Sequence, residues 1–463
     1  MTMRTPWTDR TALVIGAAAS GLAAAELLVS LGARVRIYDR NPEVRVPAGV
    51  TPFVGAETVP DAALADLGLL VLSPGVPPAP FLAARERLAP QAALHGEMSL
   101  SLAVAEHLWG RLPTVLITGT NGKSTVTALT GALLTAAGQR PFVGGNLGVP
   151  LAVALRTAER PDSLVLECSS FQLETLSGAA VDVAMVLNLT PDHLDRYPTL
   201  EAYAATKARV FADLAPDGLA LLDAGDPWTP YFQARVPRGR TLLVDGPPNI
   251  PGHTANIPGP GHTADILGPG PGHTLVLDGA EYPRAALRLA GRHNSKNALF
   301  ALAAATHLGA SHAACLAGLA GFEGLPHRMV LVRELAGVTY YDDSKATNVA
   351  SVLASLGGFD RRFVLIAGGR AKGDDLTPLR DLLGRAGAGL VAIGESTEAF
   401  HAVGDGVVPT LRATSMAAAV AAARSLARPG DAVVLSPACA SYDWFKNYGH
   451  RGDTFAACVR DLA

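Results

Sequence analysis

A chain of 463 residues is too long for one hydrophobic core, so more than one domain is expected. Hydrophobic residues make up 49% and charged residues 17%, a balance that excludes a disordered chain. A formal net charge of -3 with no basic tract gives nucleic acid no electrostatic handle, and Cys168, Cys315, Cys439 and Cys458 lack the spacing of a disulfide framework or zinc site.

The first ten residues lack the charged-then-apolar pattern of a signal peptide. Residues 11–16 then predict a strand, 20–31 a helix and 34–39 a second strand. Gly16-Ala17-Ala18-Ala19-Ser20-Gly21 joins the first strand to the helix, and Asp39 ends the second strand, where a ribose-binding acid belongs. Ala18 occupies the place of the glycine that lets a backbone approach a pyrophosphate, so a nucleotide other than NAD is expected, or a purely structural turn. The most apolar stretches, 13–33 and 298–322, are interrupted by Glu26, by glycines and by His307 and His312. They predict buried helices and no membrane span, leaving the cytoplasm as the expected location.

A second strand–turn–helix block begins at residues 114–119, with its helix over 124–137. Between them lies Gly119-Thr120-Asn121-Gly122-Lys123-Ser124-Thr125. Glycines allow backbone N–H groups to turn toward phosphate oxygens, and the helix N-terminus adds positive potential. Lys123 offers a point charge to the outer phosphates, and the Ser124 hydroxyl suits Mg²⁺. Ile117 replaces the first glycine of the full-length motif. Further strands are expected over 164–168, ending near Glu167, and over 183–189, followed by Asp192 and His193. Strand ends of a parallel sheet border the ligand crevice, so these are candidate metal ligands. Lys207 falls in an amphipathic helix over 203–211, where the residues alone predict a solvated lysine.

Residues 246–274 repeat Pro-Gly-His-Thr at 251, 260 and 271. So much Pro and Gly predicts a surface insertion with no helix and no central strand, and its histidines lack acidic or cysteine partners for a metal.

The last block predicts strands over 363–369, 390–394 and 432–436. Three polar runs punctuate it: 343–348, 368–373 and 436–441. Each is an ordinary loop alone; their convergence at strand ends would make a site. Strands alternating with helices throughout predict an α/β chain with parallel sheets covered on both faces. Boundaries are expected near residues 112 and 324.

With these strings assembled, the chain resembles the Mur ligases. The resemblance runs from the Gly16 loop to Arg451-Gly452-Asp453-Thr454-Phe455 and is carried by residues 119–125, 167–174, 192–197, 343–348 and 436–441. Within the family, these strings are most similar to members that add D-glutamate to UDP-N-acetylmuramoyl-L-alanine. The resemblance implies three domains: a Rossmann-like domain for the UDP-sugar (1–112), a central P-loop ATPase domain (113–324) and a C-terminal Rossmann-like domain for the amino acid (325–463). It implies ATP as co-substrate and two Mg²⁺ ions, the first on Ser124 and Glu167, the second on His193. Lys207 would match a carbamylated lysine beside the metals, although the stretch from Tyr197 to Lys207 looks one residue short. Asn294 and Asn297 would meet adenine, Arg328 the γ-phosphate and Asp343 the ribose. Ser20, Asp39, Arg40, Ser73 and Gly75 would anchor UDP; Asn146, Ser169 and Gln172 would lie near the muramoyl-alanine. Thr347, Lys372, Ser441 and Tyr448 would receive D-glutamate. A monomer without nucleic-acid or membrane partners is expected. The alternatives are another amino-acid ligase of the family, a folylpolyglutamate synthase, a P-loop ATPase that ligates nothing, and a dehydrogenase, the last disfavoured by Ala18.

Overall fold

The computed structural model describes residues 5–157, 159–178, 180–194, 196–237, 239–244, 264–267, 274–289, 292–359, 361–371 and 373–462. Among these residues three sheets form in chain order.

The first contains β1 (Thr11–Ile15), β2 (Arg34–Asp39), β3 (Val50–Val54), β4 (Leu69–Leu72) and β5 (Ala93–Gly96), in the order β3-β2-β1-β4-β5. All four pairings are parallel. β1 and β4 are buried along their whole length, which is why their sequences, TALVI and LLVL, are apolar without alternation. The order reverses between β1 and β4, so the crevice opens where the Gly16 and Ser73 loops leave the sheet.

The second sheet contains β6 (Thr114–Thr118), β7 (Pro141–Gly145), β8 (Ser163–Glu167), β9 (Val181–Val186), β10 (Leu214–Asp223), β11 (Arg240–Val244), β12 (Ala264–Leu267), β13 (Thr274–Leu277) and β14 (Ala280–Pro283). Its order is β14-β13-β12-β11-β10-β9-β6-β8-β7, antiparallel only at β12/β13 and β13/β14. β6 lies between β8 and β9, so the loops after these three strands emerge side by side.

The third sheet contains β15 (Val330–Leu335), β16 (Val338–Asp342), β17 (Phe363–Gly368), β18 (Gly387–Ile393), β19 (Thr410–Arg412) and β20 (Ala432–Leu435), in the order β15-β16-β20-β17-β18-β19. Only β15/β16 is antiparallel.

The expected α/β architecture is present, with strand ends moved by no more than three residues. Residue 112 lies between the helix Glu97–Trp109 and β6, and residue 324 between the helix His312–Gly321 and β15. The chain packs as two compact units, Met1–Pro283 with Leu299–Leu319, and Arg284–Ala298 with Ala320–Ala463. The first two sheets share a unit because one apolar cluster is continuous through both, from Leu27 and Leu28 through Leu100 and Val104 to Leu116 and Leu166.

Three expectations are corrected. Residues 13–33 are not one helix: they hold most of β1, a turn and the helix Ala19–Ser30. The insertion does contain an internal strand: β12 lies between β11 and β13, and Thr274 opens β13. Its segment Ala264-Asp265-Ile266-Leu267 is free of Pro and Gly, so the local composition permits what the wider composition argued against. Most of 246–273, including its histidines, lies outside the described residues. Finally, Lys207 is not solvated. It sits in the helix Leu200–Ala208, which a 3₁₀ turn, Arg209–Phe211, extends, and it is 1% exposed. No described helix is long and apolar enough to cross a membrane.

Candidate active site

In the first unit, the loop after β6 is shaped by Gly119 and Gly122, whose φ angles of +152° and +84° lie in the region glycine favours. Gly122 is also the N-cap of the helix Lys123–Ala136. The Lys123 ammonium curls back on the loop, donating to the carbonyls of Gly119 and Thr120 at 2.9 Å each. Asn188, just beyond β9, braces the loop from the other side. Its Oδ1 accepts from Thr120 N (3.1 Å) and Asn121 N (2.8 Å), and its Nδ2 donates to Asn121 O (3.1 Å). Thr120 and Thr190 add a reciprocal pair of hydrogen bonds.

Glu167 ends β8 beside Ile117 of β6 and is 2% exposed. Its Oε1 accepts from Asn146 Nδ2 at 2.7 Å, while Oε2 is buried with no hydrogen-bond partner among the described residues. A buried carboxylate oxygen without a donor is costly unless a cation completes it. Ser124, 8% exposed, lies in the first turn of the neighbouring helix. Among the described residues no group of three or more His, Cys, Asp or Glu converges, so this is not an all-protein metal cage. One carboxylate and one hydroxyl beside a phosphate loop do fit Mg²⁺, which keeps water and phosphate oxygens among its ligands.

His193 follows β9 with φ +53° and a side chain 43% exposed. Its ring lies 4.9 Å from that of Phe171. Lys207 Nζ donates to Gly119 O at 2.9 Å, lies 3.5 Å from Thr118 Oγ1, and sits 4.5 Å above the Tyr203 ring. Burial, and then the positive charge of Lys123, hold the Lys207 amine well below the usual lysine range.

At the first crevice, Ser73 Oγ donates to Gly16 O at 2.9 Å. A Cβ on Gly21 would lie 1.9 Å from Gly16 O, so only glycine permits this turn. Asp39 is engaged within the chain: its Oδ2 accepts from Ala17 N (2.7 Å) and its Oδ1 from Asn41 N (2.9 Å). Ser20 is half-buried; Arg40 and Gly75 are exposed. Ser169 caps the short helix Ser170–Leu173 in a reciprocal box with Gln172. The same Gln172 hydrogen-bonds Glu97, whose carboxyl is pushed up to about 7 by burial.

In the second unit, the three polar loops converge as expected, because β16, β20 and β17 are neighbours. Asp343 N donates to Leu435 O (2.8 Å), Gly368 N to Pro437 O (2.9 Å), and Ser436 Oγ to Asp343 Oδ2 (2.7 Å). Asp343 is 3% exposed, and burial pushes its carboxyl up to about 7. Ser441 is buried, Thr347 half-buried and Tyr448 exposed, the last with Lys345 Nζ 3.8 Å above its ring. Lys372 lies outside the described residues. Arg328 is half-buried, and Asn297 Nδ2 donates to Asn294 Oδ1 at 3.0 Å. Arg451 is 1% exposed and donates to Ser344 Oγ, Ser344 O and Cys439 O, knitting two of the loops together. His327 Nδ1 is 2.7 Å from Asp342 Oδ2.

Sequence reasoning gave no role to Asn188, Glu97, Glu174, Arg196 or Asp342. Glu97 and Glu174 each sit beside a glycine strand end or a polar string, a faint signal; Asn188 carried none.

Comparison with known proteins decides the family. The profile of the Mur ligase middle domain matches residues 117–305, and that of the Mur ligase glutamate ligase domain matches residues 327–439. The UDP-N-acetylmuramoylalanine--D-glutamate ligase of Anaeromyxobacter dehalogenans is 44% identical over 97% of this chain and 97% of its own. The chain belongs to the Mur ligase family. The corresponding ligase of Geobacter metallireducens is 38% identical over the same shares. A pseudomurein peptide ligase type C from Methanothermus fervidus shares the fold at a TM-score of 0.60 and 17% identity, covering 98% of this chain and 100% of that one. MurF ligase from Thermotoga maritima in complex with ADP does so at a TM-score of 0.60 and 15% identity, covering both chains completely. The three-sheet architecture is thus that of a Mur ligase.

Proposed function

We propose that this chain adds D-glutamate to UDP-N-acetylmuramoyl-L-alanine, driven by ATP, in peptidoglycan precursor synthesis. Near-complete coverage of D-glutamate ligases at 37–44% identity supports the substrates. The observation that carries the chemistry is the buried Glu167 oxygen beside the phosphate loop, which has no hydrogen-bond partner among the described residues. Residues 1–112 would take the UDP-sugar, 113–324 ATP and 325–463 the amino acid.

The substrate carboxylate attacks the γ-phosphate, giving an acyl phosphate and ADP. The amine of D-glutamate then attacks the acyl carbon and phosphate leaves. Negative charge gathers on phosphate oxygens in the first step. Lys123 would exchange its two carbonyl partners for those oxygens, and Arg328 would add a second cation. Ser124 and Glu167 would hold one Mg²⁺ and His193 a second; bound there, Mg²⁺ neutralises phosphate charge. A carbamate on Lys207 would turn a buried amine into an oxygen donor for the second ion. Asn294, Asn297 and Asp343 would receive the nucleoside; Ser20, Asp39, Arg40, Ser73 and Gly75 the UDP group; Asn146, Ser169 and Gln172 the muramoyl-alanine. Thr347, Lys372, Ser441 and Tyr448 would grip D-glutamate. A monomer working in the cytoplasm completes the reading.

Phosphate release measured with UDP-N-acetylmuramoyl-L-alanine and a panel of amino acids tests this. Release should require D-glutamate, and L-glutamate should be turned over many-fold more slowly, because charge-assisted hydrogen bonds go unpaired on the wrong hand. Equal rates with L-glutamate, or preference for L-alanine, reject the assignment. Calorimetry should show binding of uridine nucleotides and none of NAD.

A further inference from the structure

The turn that carries His193 is tied to the loop that follows β4, and one side chain makes the tie. Arg196 donates from Nε and Nη2 to the two oxygens of Glu174, at 3.1 and 2.6 Å, and from Nη2 to the Val76 carbonyl at 3.0 Å. The pair is well shielded, with side-chain exposures of 16% and 13%. The guanidinium also lies 5.2 Å from the centre of the Phe171 ring, which is itself 4.9 Å from the His193 ring and 6.1 Å from that of Tyr197. Tyr197 OH donates to Glu174 at 2.8 Å, and its ring meets Tyr203, the ring under Lys207. At the other end, Val76 N closes a turn on Ser73 O, and Ser73 Oγ holds Gly16 O.

We propose that Arg196 is a positioning residue that couples occupancy of the UDP crevice to the His193 turn, by spanning Val76 and Glu174. The inference rests on the functional reading above, in which Ser73 and Gly75 meet UDP and His193 meets a metal. Its physical basis is directional. The N–H groups of Arg196 and Tyr197 both donate to His193 O at 3.0 Å, which holds His193 in its left-handed conformation. A ligand that seats on the 73–75 turn fixes the Val76 carbonyl. The planar guanidinium, held at Glu174 by two bonds, carries that constraint to the backbone of the His193 turn. A lysine, a point charge on a flexible stem, has no rigid planar fork to span the carboxylate and the carbonyl and would not transmit the geometry.

The test is calorimetry on the full chain: binding of Mg²⁺–ADP with and without saturating UDP-N-acetylmuramoyl-L-alanine. The wild-type protein should bind Mg²⁺–ADP about five- to tenfold more tightly when the UDP-substrate is present, within the usual range of coupling between sites. Arg196→Lys should bring this factor below about twofold while each ligand alone binds within a few-fold of wild type. Glu174→Gln, which keeps the shape of the clamp, should lose part of the coupling and covers the case in which Arg196→Lys does not fold. Absence of coupling in the wild type, or full coupling in both variants, overturns the inference and leaves the functional reading standing. Failure of the wild type to bind the UDP-substrate overturns both.

Discussion

The Lys207 amine donates a 2.9 Å hydrogen bond to the Gly119 carbonyl, at the first residue of the phosphate loop. That carbonyl also accepts from Lys123 at 2.9 Å. Two lysines therefore share one acceptor, and burial together with this neighbouring charge favours the neutral form of Lys207. A neutral amine is the form that reacts with carbon dioxide. The expected outcome is a carbamate on Lys207 in the active enzyme, visible as a carbonyl resonance after exposure to ¹³C-bicarbonate and absent in Lys207→Ala. That variant should lose activity by at least about two orders of magnitude, as expected when a charge-stabilising group is removed, and recover part of it in acetate. UDP-substrate binding should be largely unchanged. Full activity in Lys207→Ala sinks the carbamate role.

Asn188 braces the phosphate loop through three hydrogen bonds to Thr120 and Asn121. Asn188→Leu keeps the size and removes all three. It should weaken ATP binding about tenfold or more and lower stability by about 1 kcal/mol, since Asn121 loses its partner while Thr120 N keeps the Asn188 carbonyl. Nucleotide titration and urea unfolding read the two effects separately; wild-type values in both would show that the glycines alone shape the loop.

Asp343 and Glu97 are carboxyls raised by burial to about 7, from ordinary values of 3.8 and 4.5. Between those values the native state holds protons that the unfolded chain has released. Their contribution to stability is therefore fully present below about pH 4 and is lost as pH rises toward 7, with a slope of at most about 1.4 kcal/mol per pH unit for each group. Asp343→Asn should flatten that part of the profile, measured by urea unfolding at intervals from pH 4.5 to 7.5. A wild-type slope retained in the variant would show that Asp343 stays ionised beside Ser436 and Arg328.

The segment between β11 and β12 offers a deletion with two opposite outcomes. Val244 pairs with Ala264, so the two ends to be rejoined are neighbours. Replacing residues 246–261 with six Gly and Ser residues should leave turnover within a few-fold, because closure entropy changes by only about 0.6 kcal/mol per halving of length. Extending the deletion through Leu267 removes the partner of β13 and should lower the melting temperature by several degrees. Equal stability of the two deletions would mean that β12 contributes nothing.

The sequence by itself determined the alternation of strands and helices, the phosphate loop and the family. Each of these is written in neighbouring residues: a buried parallel strand must be apolar throughout, and the turn at 119–125 needs its glycines where they stand. Glu167 was legible for the same reason, as an acid at the end of an apolar run. Only the tertiary structure decided that Lys207 is buried, because the helical pattern around it gave no sign that β6 and the phosphate loop would cover it. Tertiary structure likewise placed Asn188 on a loop 67 residues away in sequence, and Arg196 on Val76, 120 residues away. It also closed Asp343 inside the second unit, with Ser436 as its partner. Burial and long-range hydrogen bonds depend on which strands become neighbours in a sheet, and strand order is set by packing across the whole chain, so local spacing leaves these relationships unspecified.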